Sequence, residues 1–95
     1  MSFIRLKIFH EVAKQLNFSK AAERLYISQP AVTKNIQELE SEFNAKLFER
    51  KAGKISLTEA GHLVLKYVEE VLTLERTLHF DLNTMKQQYS GELHL

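Results

Sequence analysis

Cysteine is absent from this 95-residue chain, which rules out disulfides, zinc–cysteine centres and thiol nucleophiles and fits a reducing cytoplasm. Glycine occurs three times and never as a phosphate-cradling loop, and the single proline is Pro30. The opening stretch MSFIRLKIFHEVAK carries a charge every few residues and no apolar run, so neither a signal peptide nor a membrane span is predicted. A chain of this length holds one small domain with a modest core. Charge of either sign is nearly balanced, at +1 overall, yet unevenly spread. Residues 1–58 carry ten Lys/Arg against six Glu, a balance of +4, and residues 59–95 carry three against six Asp/Glu, a balance of −3. A basic segment followed by an acidic one suits a nucleic-acid-facing part joined to an assembly part.

What is present is concentrated in Ser19–Glu40, SKAAERLYISQPAVTKNIQELE. Two serines, Ser19 and Ser28, read as N-caps, because a serine hydroxyl accepts from a first-turn N–H that has no partner of its own. Lys20 to Leu25 are good helix formers, and a corner of about three residues precedes a second helix beginning at Gln29, where Pro30 is tolerated in the first turn. In that helix Val32, Ile36, Leu39 and Phe43 form an apolar stripe expected to face the core. Pro30, Lys34, Gln37 and Ser41, flanked by Gln29 and Thr33, form a face free of large apolar groups and rich in hydrogen-bonding ones. This is a helix-turn-helix pattern, and that polar face is the part expected in a DNA major groove.

The surroundings extend the pattern. Phe3, Leu6, Phe9, Val12, Ala13 and Leu16 predict an opening amphipathic helix that ends near Asn17. Leu47 to Arg50 and Ile55 to Leu57 predict two very short strands around Lys51-Ala52-Gly53-Lys54, a wing with Gly53 supplying positive φ and two lysines at its tip. Thr58 caps a long helix, with Glu59 in its first turn. Val64, Tyr67, Val71, Leu74, Leu78 and Met85 recur at steps of three and four, with Asp81 the one miss, before the pattern stops near Tyr89. Leu65, Val68 and Leu72 widen that stripe toward the domain. A helix of about 30 residues is about 45 Å long, too long to be covered by so small a domain, so a second copy of the chain is the expected partner. The tail Ser90-Gly91-Glu92-Leu93-His94-Leu95 is expected to break the helix at Gly91 and to begin a strand.

These linked motifs resemble the N-terminal DNA-binding domains of LysR-type transcriptional regulators over essentially the whole chain. The resemblance rests on Leu6…Phe9…Val12-Ala13, Asn17-Phe18-Ser19-x-Ala21-Ala22-x-x-Leu25, Ile27-Ser28-Gln29-Pro30-Ala31-Val32-Thr33, Ile36-x-x-Leu39-Glu40, Leu47-Phe48-Glu49-Arg50 and Leu57-Thr58-x-Ala60-Gly61. It implies a mainly α fold: a winged helix-turn-helix DNA-binding domain over 1–58, a long dimerisation and linker helix over 59–89, and at 90–95 the start of an effector-binding domain that this chain lacks. By the same resemblance, Ser28, Gln29, Pro30, Thr33, Lys34 and Gln37 fall where the family touches double-stranded operator DNA, and Arg50, Lys51 and Lys54 fall on or beside the wing. A small-molecule effector would act only through the missing domain; no cofactor, metal or membrane is implied. Two departures are visible, since many members have arginine where Lys34 stands and a wing richer in arginine; both weaken bidentate guanine and narrow-groove reading.

Two rival classes compete. An enzyme needs a constellation sharing protons, metal or a nucleophile, and His10, His62, His79 and His94 are scattered without a second ligand at metal spacing. A helical protein-interaction module would use the long helix alone, and would give no reason for an apolar-free face from Gln29 to Gln37 flanked by wing lysines.

Overall fold

The computed structural model describes residues 2–94, with side chains over 2–88. Three helices come first: α1 (Phe3–Gln15), α2 (Phe18–Leu25) and α3 (Gln29–Phe43). A hairpin of β1 (Phe48–Lys51) and β2 (Lys54–Leu57) follows, and α4 (Glu59–His94) closes the order. The strands pair antiparallel with Phe48 opposite Leu57 and Lys51 opposite Lys54. The architecture is therefore mainly helical with a two-stranded wing, as the residue pattern predicts.

Local chemistry explains most of the boundaries, with two corrections. The cap of α2 is Asn17, not Ser19: the Asn17 side-chain oxygen accepts from the Lys20 N–H at 2.8 Å. Asparagine caps as well as serine, and starting at Phe18 sets that ring edge-on to Phe48, with centroids 5.9 Å apart. The first helix accordingly ends at Gln15, and Leu16, placed on the apolar stripe by its spacing, is a left-handed C-cap at φ 50° with its side chain largely exposed. The second correction concerns Phe43. Spacing puts it on the core stripe, but it is the last residue of α3, just before left-handed Asn44, and is 36% exposed.

Ser28 and Thr58 cap as expected. The Ser28 hydroxyl accepts from the Ala31 N–H at 3.2 Å, and Thr58 Oγ1 accepts from the Gly61 N–H at 2.9 Å while donating to the Lys46 carbonyl at 2.6 Å. Thr58 thus starts α4 and ties it to the chain entering the wing.

The core lies where the three short helices meet the wing. Phe9, Val12, Val32, Leu39 and Leu47 are its largest fully buried side chains, and the Phe9 and Phe48 rings lie 5.4 Å apart in a tilted pair. From α4, Val68 and Leu72 are buried in this cluster and Leu65 packs against it, as the widened stripe predicts. Val64 also packs partly against the core, so the stripe left for a partner is cleanest from Tyr67 onward. An ionic clasp joins α1 to α3: Arg5 pairs with Glu38 and, at 3.9 Å, with Glu42, and its Nε reaches Asn35 Oδ1 at 3.5 Å. On α1, burial would raise the Glu11 carboxyl, but the Gln15 amide and the charges of Lys14 and Arg24 hold it below its usual value.

The wing is tighter than its sequence suggests. Both lysines are taken into the strands, leaving a two-residue turn of Ala52 (φ 52°) and Gly53 (φ 74°). Positive φ at both central positions is the type I′ pattern, which favours Asn-Gly. Alanine there is strained by its Cβ. Ala52→Asn is expected to stabilise the domain by about 0.5–1 kcal/mol. Thermal unfolding followed by circular dichroism should then shift up by a few degrees; a downward shift would contradict the turn assignment.

With 36 residues, α4 is about 54 Å long. It runs past Gly91, where the sequence predicts a break; one helical glycine costs only about 1 kcal/mol relative to alanine and does not by itself end a helix. The strand expected from the polar–apolar alternation of the tail does not form, because α4 continues through His94; Leu95 lies outside the described residues.

Candidate nucleic-acid interface

The exposed face of α3 starts at its capped end. Ser28 holds the extended conformation of a cap, Gln29 and Pro30 occupy the first two helical positions, and all three are exposed. Pro30 has no N–H and the Ala31 N–H is taken by the Ser28 hydroxyl, so the Gln29 N–H and the positive end of the helix dipole are what this end offers an anion. Gln29, Thr33 and Gln37 follow at intervals of four and share one row. Thr33 is half-buried, Gln29 and Gln37 are exposed, and the Gln29 side-chain amide donates to Thr33 Oγ1 at 3.1 Å. Pro30, Lys34 and Ser41 form the next row around the helix, and all are exposed.

The wing stands beside the first row. A groove of about 590 Å³ between them is lined by Gln29, Thr33 and Gln37 from α3, by Arg50 and Ile55 from the wing, and by Phe18 from α2. An adjoining groove of about 560 Å³ continues along Ser19, Gly53 and Lys54, again with Gln29 and Arg50 in its wall. Most of the sequence-predicted residues therefore converge on one concave surface. Ser28, Pro30, Lys34 and Lys51 line neither groove; all four are exposed, Ser28 and Pro30 at the start of α3, Lys34 on its second row and Lys51 at the wing turn opposite Lys54.

Two contributors escape the sequence pattern. Phe18 supplies the floor between α2 and the wing, and its only local signal is an apolar residue directly after a capping Asn17. Glu40 is the other. Its carboxylate accepts from the backbone N–H groups of Leu47 at 2.8 Å and Phe48 at 3.4 Å, with Lys46 Nζ 3.7 Å away. The last turns of α3 thereby anchor the chain entering the wing, at one wall of the groove. A glutamate on the polar side of a helix gives no hint in sequence that its partners lie seven and eight residues downstream.

Other chemistry is sparse. The polar side of His10 faces Glu69 at 3.6 Å and His79 faces Glu75 at 2.7 Å, both ordinary surface pairs. Among the described residues no group of three His, Cys, Asp or Glu could hold a metal ion, and no helix is long and apolar enough to cross a membrane. Along α4, Tyr67, Val71, Leu74, Leu78 and Met85 are all exposed, Leu74 by 72%. Leu82, which stands beside the miss at Asp81, extends the same surface, as does Leu63, which the spacing does not single out.

Comparison with known proteins agrees with this surface. The sequence pattern of the bacterial regulatory helix-turn-helix proteins of the lysR family matches residues 3–62. The HTH-type transcriptional regulator CitR of Bacillus subtilis is 42% identical over 95 residues, all of this chain and 33% of that protein. A probable RuBisCO transcriptional regulator of Emiliania huxleyi is 40% identical over 89 residues, 94% of this chain and 28% of that protein. The chain spans about a third or less of the length of these two relatives. Among solved structures, a CbnR_DBD-DNA complex superposes with a TM-score of 0.81 at 37% identity, covering 88% of this chain and 97% of that one. A BenM_DBD/catB site 1 DNA complex superposes with a TM-score of 0.85 at 29% identity, covering 90% and 96%. A capped helix with a polar row, a wing closing a groove beside it and a pattern match over more than half its length together place this chain in the lysR family of bacterial regulatory helix-turn-helix proteins.

Proposed function

We propose that the chain is the DNA-binding and subunit-pairing part of a transcriptional regulator that binds double-stranded operator DNA sequence-specifically as a homodimer. Its relatives are named transcriptional regulators, and the chain is not an enzyme. Residues 1–58 act as the winged helix-turn-helix domain, 59–89 as the dimerisation and linker helix, and 90–95 lead toward a domain that senses a small-molecule effector. The observation that carries the reading is the shared groove, in which Gln29, Thr33 and Gln37 of one helix row face Arg50 of the wing.

The dimensions and chemistry suit this role. A helix about 10–12 Å across enters a major groove about 12 Å wide. Gln29 and Gln37 offer a donor and an acceptor to base edges, Pro30 and the Thr33 methyl offer apolar contact to a thymine methyl, and Lys34 reaches a guanine or a phosphate. The Gln29 N–H, with Pro30 lacking one and the Ala31 N–H taken by the Ser28 hydroxyl, can donate to a phosphate. Arg50, Lys51 and Lys54 bring three cations to the flanking backbone or minor groove. Exposed Tyr67, Val71, Leu74, Leu78 and Met85, with half-buried Val64 at their margin, provide the surface for a second copy.

The test is a salt titration of binding to duplex DNA. The logarithm of the binding constant should fall linearly with the logarithm of salt concentration. Lys54→Ala should weaken binding to every sequence alike and flatten that slope by about one unit. A chain without salt-dependent DNA binding would defeat the proposal. Selection from random duplexes should return two inverted half-sites one helical turn or more apart, the spacing of a two-fold dimer.

A further inference from the structure

We infer that Thr33 is a positioning residue whose hydroxyl holds the Gln29 amide in the orientation that reads adenine rather than guanine. The inference rests on the DNA-binding reading above and adds to it a coupling between two residues of the α3 row.

A glutamine side chain can present either end of its amide, and turning it over exchanges donor for acceptor. Gln29 is exposed at the first position of α3, where nothing in the backbone chooses between those ends. The choice is made one turn later. Gln29 Nε2 donates to Thr33 Oγ1 at 3.1 Å, so one amide N–H is committed to the helix itself. What remains is the second N–H beside the free Oε1, one donor next to one acceptor. Adenine presents the complement in the major groove, an N7 acceptor next to an N6 amino donor. Guanine presents two acceptors, N7 and O6, and would set its O6 against the glutamine Oε1. The reverse orientation, with Oε1 accepting from the Thr33 hydroxyl, would leave two N–H groups outward and suit guanine instead. Which end Thr33 holds therefore selects the base.

Threonine is well suited to this task. Its branched Cβ limits χ1 in a helix, and its half-buried position restrains it further, so a stiff side chain orients a flexible one. An amide already held in place loses less rotamer freedom on binding. The same arrangement leaves the Thr33 methyl available to a neighbouring base.

The experiment uses the chain with Gln29→Ala, Thr33→Ala, Thr33→Ser and the Gln29→Ala/Thr33→Ala double substitution, each first checked for unchanged thermal unfolding. Comparing sites selected from random duplexes by the unsubstituted chain and by Gln29→Ala locates the base pair that Gln29 reads. Affinities are then measured on duplexes differing only there. The unsubstituted chain should favour adenine over guanine by roughly tenfold or more. Thr33→Ala should shrink that ratio at least about threefold with the salt slope unchanged. Thr33→Ser, which keeps the hydroxyl, should retain the ratio, and the double substitution should give the same adenine-to-guanine ratio as Gln29→Ala alone, because at that base pair the two residues act as one unit. An unmoved ratio in Thr33→Ala, a guanine preference in the unsubstituted chain, or additive effects would each overturn the inference while leaving DNA binding intact. Loss of salt-dependent binding in the unsubstituted chain would instead bring down the function on which it rests.

Discussion

Gly61→Ala is expected to lower the melting temperature of this domain by roughly 5–15 °C. A Cβ built at Gly61 would lie 2.1 Å from the Leu47 carbonyl oxygen and 2.8 Å from Leu57 Cδ2. The first of these is a backbone atom that already accepts from the Thr58 N–H at 3.0 Å, so it cannot turn aside like a side chain. Room is made only by lifting the start of α4 from Leu47, just ahead of β1, which stretches that bond and loosens one of the fully buried core residues. Overpacking of this kind costs about 1–3 kcal/mol or more. Alanine's better helix propensity returns about 1 kcal/mol at most. Steric conflict wins, and it takes a large share of the stability of about 5–15 kcal/mol that a domain possesses. Thermal unfolding at fixed protein concentration measures the effect, with concentration held because dimerisation itself would move the midpoint. A midpoint unchanged or raised would mean that α4 does not sit against the wing as described.

The second large effect concerns assembly. Leu74→Asp places a carboxylate at the most exposed point of the α4 stripe, 72% open in the single chain and remote from the core. In a two-fold interface each substitution occurs twice, so two charges are buried or brought close where two leucines packed. Sedimentation should therefore report a mass near the 11.1 kDa of one chain, against the twofold mass expected of the unsubstituted protein under the proposed pairing. The thermal midpoint of the variant should fall only by the share that dimerisation adds and should no longer rise with protein concentration, since Leu74 is not part of the domain core. Binding to a two-half-site duplex should fall by about 100-fold or more, because the second domain loses its tethered local concentration. Binding to a single half-site should be nearly unaffected. An unaltered mass would remove the α4 stripe from the dimer contact.

The two substitutions differ in how visible they are without a structure. Leu74 stands on a stripe with steps of three and four, and a helix too long for its domain declares an unpartnered face by arithmetic alone. Gly61 carries no such signal: a glycine in the first turn of a helix reads as a tolerated irregularity until Leu47 is found above it. The same division separates Ser28 from Asn17. At Ser28 the cap, the following Pro30 and the apolar stripe agree on one boundary. Near Asn17 two good caps compete two residues apart, and the distant Phe48 ring decides between them by rewarding a helix that begins at Phe18. Phe43 and Leu16 fail for a related reason. Periodicity says which side of a helix they occupy but not whether the neighbouring element extends far enough to cover them.

What the residues determined by themselves was local and periodic. Caps, a first-turn proline, a glycine at the wing tip and apolar spacing place four helices and a hairpin in order, and they set aside the polar row from Gln29 to Gln37 and the stripe along α4. Hydrogen bonds and side-chain directions within a few residues repeat at fixed intervals, so they can be read one segment at a time. Only the tertiary structure decided how those segments meet. Glu40 tethering the wing, Arg5 clasping α3, Gly61 admitting Leu47 and the groove shared by Gln29 and Arg50 all depend on groups far apart in the chain. Close packing joins them through distances of a few ångströms that no sequence interval encodes.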